Sequence, residues 1–158
     1  MQLCGTIPPH LGNLSFLVSF YTSDNTYHGG LPEELAHLPR LKSSNNATNY
    51  LKGEIPREIG YLHYLTILDL QYSQLSGSAP PSIFNITSMQ LISLTNNNLT
   101  GKLPITIRDH LPNLEGLHLS INSLDGVIPP NQEKCRKLQV LALSFNELLE
   151  LFQERYPT

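Results

Sequence analysis

The chain has 158 residues, 40% of them apolar, a formal net charge of −3 and a pI near 6.0. That is enough apolar material for one core, and the charge supplies no global basic field to draw nucleic acid or anionic lipid. No run approaches the roughly 18 apolar residues that a membrane-spanning helix needs, and Cys4 and Cys135 are too widely separated to suggest a disulfide framework.

The opening MQLCGTIPPHLGNLSFLVSF lacks a cationic n-region, and Pro8, Pro9 and Gly12 interrupt its apolar residues. No secretory leader is therefore expected in it, and the address signals of a longer parent would lie outside the chain. The same stretch opens a pattern. Gly5 precedes Pro8 by three residues, Leu11 follows by three, and Asn25 closes the unit. Gly29, Pro32, Leu35 and Asn49 repeat it, each 24 residues on. The third unit carries Gly53, Pro56, Ile59 and, where asparagine is due, Ser73. The fourth has Gly77, Pro80, Ile83 and Asn97, and the fifth Gly101, Pro104, Ile107 and Asn122. The sixth, with Gly126, Pro129 and Asn146, is followed by LLELFQERYPT instead of another Gly-x-Ile-Pro. Columns in register at steps of 24 or 25 mark a repeat protein. Residues 1–147 are expected to form about six coils, and 148–158 a divergent tail with Leu148, Leu151 and Phe152 at helical spacing.

Ahead of each closing residue, apolar side chains recur 11, 8, 5 and 3 positions back. They run from Leu62, Leu65, Leu68 and Leu70 before Ser73 to Cys135, Leu138, Leu141 and Leu143 before Asn146. The last two of each set, spaced by two, mark a short strand with one buried face. One strand per coil, always returning in the same direction, builds a parallel sheet, and the leucines fill a core shared between coils. The asparagine is expected to satisfy backbone groups of its own and the next coil, and glycine to supply geometry or close approach that a Cβ would block. Proline fixes φ at the entry to the outer segment. Thr22 in the first coil and Ser44 and Asn46 in the second take leucine positions. Left unpaired, such groups each cost about 1–3 kcal/mol, which makes coil two the expected weak point.

The unit LxxLxxLxLxxNxLxGxIP, carried by LTILDLQYSQLSGSAP, LEGLHLSINSLDGVIP and LQVLALSFNEL, resembles the plant-specific leucine-rich repeat over residues 3 to 148. That repeat occurs in ectodomains of plant receptor-like kinases and receptor-like proteins and in polygalacturonase-inhibiting proteins. The resemblance implies an α/β, right-handed solenoid with a single parallel sheet on the concave face and short 3-10 or helical turns on the convex side. It also implies non-enzymatic recognition of a peptide or protein ligand, with a co-receptor as a further partner, in defence or pathogen sensing. The setting would be extracellular, or the plasma-membrane exterior, for a parent protein; no cofactor or metal is implied. The family's cysteine-containing caps are missing, so a truncated product is expected, with bare ends that expose leucine core and favour self-association.

In a regular coil the outward strand positions lie six, four and two residues before the closing residue, with one more at the turn. One lane reads Tyr21, Asn45, Asp69, Ser93, His118, Ala142, and the next Ser23, Ala47, Gln71, Thr95, Ser120, Ser144. Tyr21, Asp69, Gln71, Tyr72, Thr95 and His118 form the most varied group and are the candidate ligand contacts. Asp69, Ser93 and His118 on successive strands suggest a catalytic triad, but serine stands in the middle and the acid is roughly 9.6 Å from the histidine, so no relay is expected. Sequons at Asn13, Asn46, Asn85 and Asn98 are candidate glycosylation sites; Asn46 faces inward in a regular coil, so a glycan there would require a distorted strand. Six scattered histidines show no metal-ligand spacing, and Cys135 replaces a core leucine.

Three alternatives compete with peptide recognition. An inhibitor docking a secreted pathogen hydrolase would want a basic, aromatic patch, and the lanes hold almost no Lys or Arg. Ice binding needs a strictly repeated Ser/Thr lane, which the second lane is not. A truncated receptor fragment without its own activity is the third.

Overall fold

The computed structural model describes residues 2–105, 107, 109–128 and 135–149. Its strands follow in chain order as β1 (Cys4–Thr6), β2 (Ser19–Tyr21), β3 (Thr26–Gly29), β4 (Ser43–Asn45), β5 (Tyr50–Gly53), β6 (Ile67–Asp69) and β7 (Gln74–Ser78). They continue with β8 (Leu91–Ser93), β9 (Asn98–Lys102), β10 (Gly116–His118), β11 (Ser123–Val127), β12 (Val140–Ala142) and β13 (Glu147–Leu149). The even-numbered strands pair in parallel as a six-stranded sheet in the order β12-β10-β8-β6-β4-β2. This is the expected sheet of a leucine-rich-repeat solenoid, and its register matches coil to coil: Ser44 pairs with Leu68, Leu68 with Ile92, Ile92 with Leu117 and Leu117 with Leu141.

The odd-numbered strands form a second parallel sheet of seven, which the expectation of a single sheet did not include. Its sequence signal is faint. Only one side chain per strand is fully buried, Leu51, Leu75, Leu99 and Leu124 in the middle coils, and the glycine column interrupts the strand two residues later. Those glycines, from Gly29 to Gly126, have φ between 73° and 83°, with Gly5 at 124°. For Gly53 no atom lies near enough to meet an added Cβ, so it is the left-handed backbone, not crowding, that selects glycine there.

On the outer side, 3-10 turns span Pro9–Asn13, Glu33–His37, Arg57–Tyr61 and Pro81–Asn85. Each follows a proline in extended conformation, φ −76° to −60°, whose carbonyl accepts the N–H of the apolar residue three positions on: Leu11, Leu35, Ile59 and Ile83. Leu35, Ile59 and Ile83 are buried. Pro129 lies outside the described residues, as does the tail beyond Leu149.

The core runs through every coil, and Leu65, Met89 and Leu111 are fully sealed. Cys135 packs as the small hydrophobe its position suggests, 5% exposed, with its Sγ donating to the Leu111 carbonyl at 3.7 Å. At the outer strands the same positions open: Leu14 is 53% exposed beside β2, and Leu141 38% exposed on β12.

The asparagine column is the seam between the sheets. Asn97 Nδ2 donates to the carbonyls of Leu70, Leu94 and Thr95 at 3.0, 3.1 and 3.4 Å, and its Oδ1 accepts the Leu75 N–H at 3.0 Å. Asn49, Asn122 and Asn146 repeat this pattern. The ladder therefore ties each coil to the preceding one, where the next had been expected. Just before each ladder position the chain turns through a left-handed residue: Asp24, Thr48, Tyr72, Asn96, Ile121 and Phe145 have φ between 53° and 58°. Such geometry costs an L-residue about 1–2 kcal/mol. At the first five corners it is held by a backbone bond from the corner N–H to the following coil, as in Thr48 to the Gln71 carbonyl at 2.9 Å.

Coil two keeps its register, which corrects the expectation of a weak point. Thr22, Ser44 and Asn46 are buried, Asn46 completely. The Ser44 hydroxyl donates to Asn46 Oδ1 at 2.7 Å, and Asn46 Nδ2 donates to Thr22 Oγ1 at 2.7 Å, so the polar substitutions satisfy one another across two coils. The burial of Asn46 also removes it as a glycosylation site in the folded chain. Its amide is enclosed and hydrogen-bonded, whereas Asn13, Asn85 and Asn98 are exposed.

The defect lies one coil further on. Ser73 occupies the ladder position with too short a side chain, and its Oγ is buried with no hydrogen-bond partner among the described residues. Ser73→Asn should supply the missing donors and acceptor and raise stability by about 1–3 kcal/mol, read as a higher urea midpoint at unchanged slope; an unchanged midpoint would mean that the ladder adds nothing at this coil. Asn46→Leu alone should cost about 2–3 kcal/mol by stranding two buried hydroxyls. Thr22→Leu, Ser44→Leu and Asn46→Leu together should recover most of that loss, and a triple variant no better than the single would contradict a mutually satisfied network.

Candidate ligand-binding surface

The outward lanes stand on the six-stranded sheet as the periodicity places them. Tyr21 pairs with Asn45, Asn45 with Asp69, Asp69 with Ser93, Ser93 with His118 and His118 with Ala142. Neighbouring side chains in a lane are thus separated by one strand spacing, about 4.8 Å. The six candidate contacts do not form one cluster, however. Asp69, Gln71, Thr95 and His118 share adjoining positions on β6, β8, β10 and their following turns, whereas Tyr21 stands two strands from Asp69.

Tyr21 is 63% exposed and reaches across to the start of β4, its Oη donating to Ser43 Oγ at 3.0 Å. Tyr72 is 49% exposed but sits on a left-handed corner, φ 53°, at the edge of the sheet instead of within it. Gln71 and Thr95 are partly exposed, and His118 lies beside Gly116, where an added Cβ would come within 3.1 Å of His118 Nε2 and 2.8 Å of Leu91 Cδ1. The glycine thus lets the imidazole settle low against the sheet.

Asp69 is the electrostatic centre of the surface. It is only 8% exposed, its Oδ1 accepts the Gln71 backbone N–H at 3.2 Å, and its Oδ2 accepts Gln71 Nε2 at 3.3 Å. Burial pushes its carboxyl above the ordinary range; the Gln71 N–H, the Ser93 hydroxyl, the Gln71 amide and the His118 ring pull it partly back. Asp69 therefore presents a field more than a contact area. Ser93, 4% exposed, lies between Asp69 and His118 and bonds the acid, so the histidine never comes between serine and carboxylate as a nucleophilic relay requires.

Two features escape the lane pattern. Ile67 and Leu91 form an apolar pair six positions before the ladder, with Val140 beyond Gly116 in the same line, where serines stand in the first two coils. Tyr50, 53% exposed, lies at the start of β5 in the second sheet. It becomes visible as a surface residue only once that sheet is known.

The Leucine Rich Repeat family matches residues 64–86 and 88–110. No curated protein matches the sequence significantly. Among solved structures, the ectodomain of the Arabidopsis thaliana receptor kinase GASSHO1/SCHENGEN3 in complex with CASPARIAN STRIP INTEGRITY FACTOR 2 is 36% identical over 93% of this chain, with a TM-score of 0.89. The ectodomain of the receptor kinase SOBIR1 from Arabidopsis thaliana is 31% identical over 80% of this chain and 67% of its own length, with a TM-score of 0.72. A plant ice-binding protein is 27% identical over 92% of this chain and 55% of its own, with a TM-score of 0.80. The chain spans 18% of the length of the GASSHO1/SCHENGEN3 ectodomain.

The raised Asp69 pKa fixes the sign of a pH effect. The folded chain holds this proton more tightly than the unfolded one, so the carboxylate costs stability above its folded pKa and costs nothing below its unfolded value near 3.9. Asp69→Asn should therefore raise the melting temperature at pH 7.5 and leave it nearly unchanged at pH 3. Equal gains at both values would point to packing, not charge.

Proposed function

This chain belongs to the plant leucine-rich-repeat receptor-like family, and we propose that it recognises an extracellular peptide or protein on the open face of its six-stranded sheet. The observation that carries this is the register. Gln71, Thr95 and His118 are presented from three successive parallel strands and the turns after them, around a desolvated Asp69, with Tyr21 two strands away on the same face. An extended ligand can meet several coils at once on such a surface, with the amide and imidazole supplying hydrogen bonds and the acid favouring a cationic ligand group. Similarity to a receptor kinase in complex with a peptide hormone, and to receptor kinase ectodomains, supports a peptide as the ligand and an extracellular setting, and a non-enzymatic role accords with the broken order of Asp69, Ser93 and His118. A co-receptor is a further proposed partner. The narrower form of the proposal, perception of a pathogen in defence, rests on the wording of the coils alone.

The likeness to a plant ice-binding protein favours one rival, adsorption to ice. Against it, the lane Ser23, Ala47, Gln71, Thr95, Ser120, Ser144 is irregular, and Ala47 is buried. The chain, secreted from a glycosylating host, would be titrated by interferometry against synthetic extended peptides. A peptide that binds it should lose about tenfold in affinity, 1.4 kcal/mol, on either Gln71→Ala or His118→Ala, and nothing on Glu58→Gln on the outer 3-10 turn. Equal loss on Glu58→Gln, or thermal hysteresis without any peptide binding, would overturn the reading.

A further inference from the structure

Where the two sheets meet, coils one to three enclose a recess of about 310 Å³ lined by Gln2, Asp24, Thr48, Asn49, Tyr50 and Tyr72 among others. It lies beside the lanes, not in them: Asp24, Thr48 and Tyr72 are three successive left-handed corners, and Tyr50 begins β5 of the second sheet. The lining is aromatic and acidic. Tyr50 and Tyr72 are each about half exposed, Asp24 is exposed, and among the described residues no Lys, Arg or His borders the space.

The polar atoms divide into committed and uncommitted. Both the Nδ2 and the Oδ1 of Asn49 are spent on the ladder. Asp24 contributes only its backbone N–H, to the Ala47 carbonyl at 3.1 Å, and its carboxylate has no partner among the described residues. The recess thus offers one uncompensated negative charge and two tyrosine side chains, within a volume at the lower end of the small-ligand range.

We propose that this recess is a receptor for a single arginine side chain of a partner peptide. The guanidinium would stack against Tyr72 and Tyr50 and pair with the Asp24 carboxylate. A planar, weakly hydrated cation satisfies ring faces and a carboxylate together, which a neutral group cannot do and a compact ammonium does less well. The chain already makes such a contact within itself, Arg40 lying 4.9 Å from the centroid of the Phe16 ring. The proposal rests on the peptide-recognition reading and adds to it an anchor beside the lanes.

The test uses the whole chain and two probes, Nα-acetyl-arginine methylamide and its citrulline analogue, which keeps the shape and loses the charge. Titration followed by the tyrosine ring resonances should give saturable shifts for the arginine probe in the millimolar range expected of one side chain. Binding of the citrulline analogue should be at least about tenfold weaker. Asp24→Asn and, separately, Tyr72→Leu should abolish the arginine response, Asp24→Glu should retain part of it, and His118→Ala should leave it intact. Citrulline binding as well as arginine, no saturable binding of either, or binding that survives both Asp24→Asn and Tyr72→Leu would each overturn the assignment. Should Asp24→Asn fail to fold, Tyr72→Leu carries the test of location. If peptides lose affinity on His118→Ala but not on Asp24→Asn, the recess fails while the lane reading stands. If the arginine probe binds here and no peptide engages the lanes, the lane reading fails instead.

Discussion

The architecture depends on one side-chain amide used again and again. A carboxamide has two donors and a carbonyl acceptor within a short reach. At Asn97 it ties three carbonyls and one N–H, from its own coil and the one before, into a single junction. That junction closes the sharp corner between the sheets, and the corner is where backbone groups would otherwise be buried without partners. With the corner fixed, the coil has one way to proceed: strand, left-handed turn, strand, glycine, proline, 3-10 turn. Everything presented on the surface inherits its spacing from this repetition.

The left-handed corners show how firmly the junction holds. Thr48 and Ile121 are β-branched and poorly suited to positive φ, yet they adopt the conformation that Asp24 and Asn96 take more readily. Six residues of unrelated chemistry sharing one strained geometry means that the strain belongs to the coil, not to a particular function. It also turns the corner side chains outward, which is how Tyr72 stands off the sheet lanes and, with Tyr50, lines the recess at the seam.

Most of the solenoid could be read from the residues because period and chemistry coincide. Leu68 and Leu70, two apart, state a strand, and Gly53 with Pro56 states what precedes the outer turn. Less could be read where one residue does two jobs. The second sheet is hard to read because its buried signal is a single leucine per coil, such as Leu75, followed by a glycine that normally marks a break. Coil two looks weak in the sequence because Ser44 and Asn46 are each costly in isolation, and only their separation of 2.7 Å and the reach to Thr22 show that they compensate one another. For the ligand surface, the lanes and the turn position of Tyr72 are legible in the residues, but not that Asp69 and Ser93 are shielded by their neighbours.

The interruption at Ser73 divides the seam into a stretch of coils before it and another after it. In a molecule whose coils touch only their neighbours, free energy is distributed along one dimension, and a missing junction acts as a local fault in an otherwise cooperative row. Opening can start there as well as at the ends, because two coils can part while those on either side keep their own bonds. The fault lies immediately after Tyr72, within reach of both the recess and the lanes. Any partner bridging the third coil would splice the row, and its binding would register as increased cooperativity of the whole chain, beyond the contacts it makes.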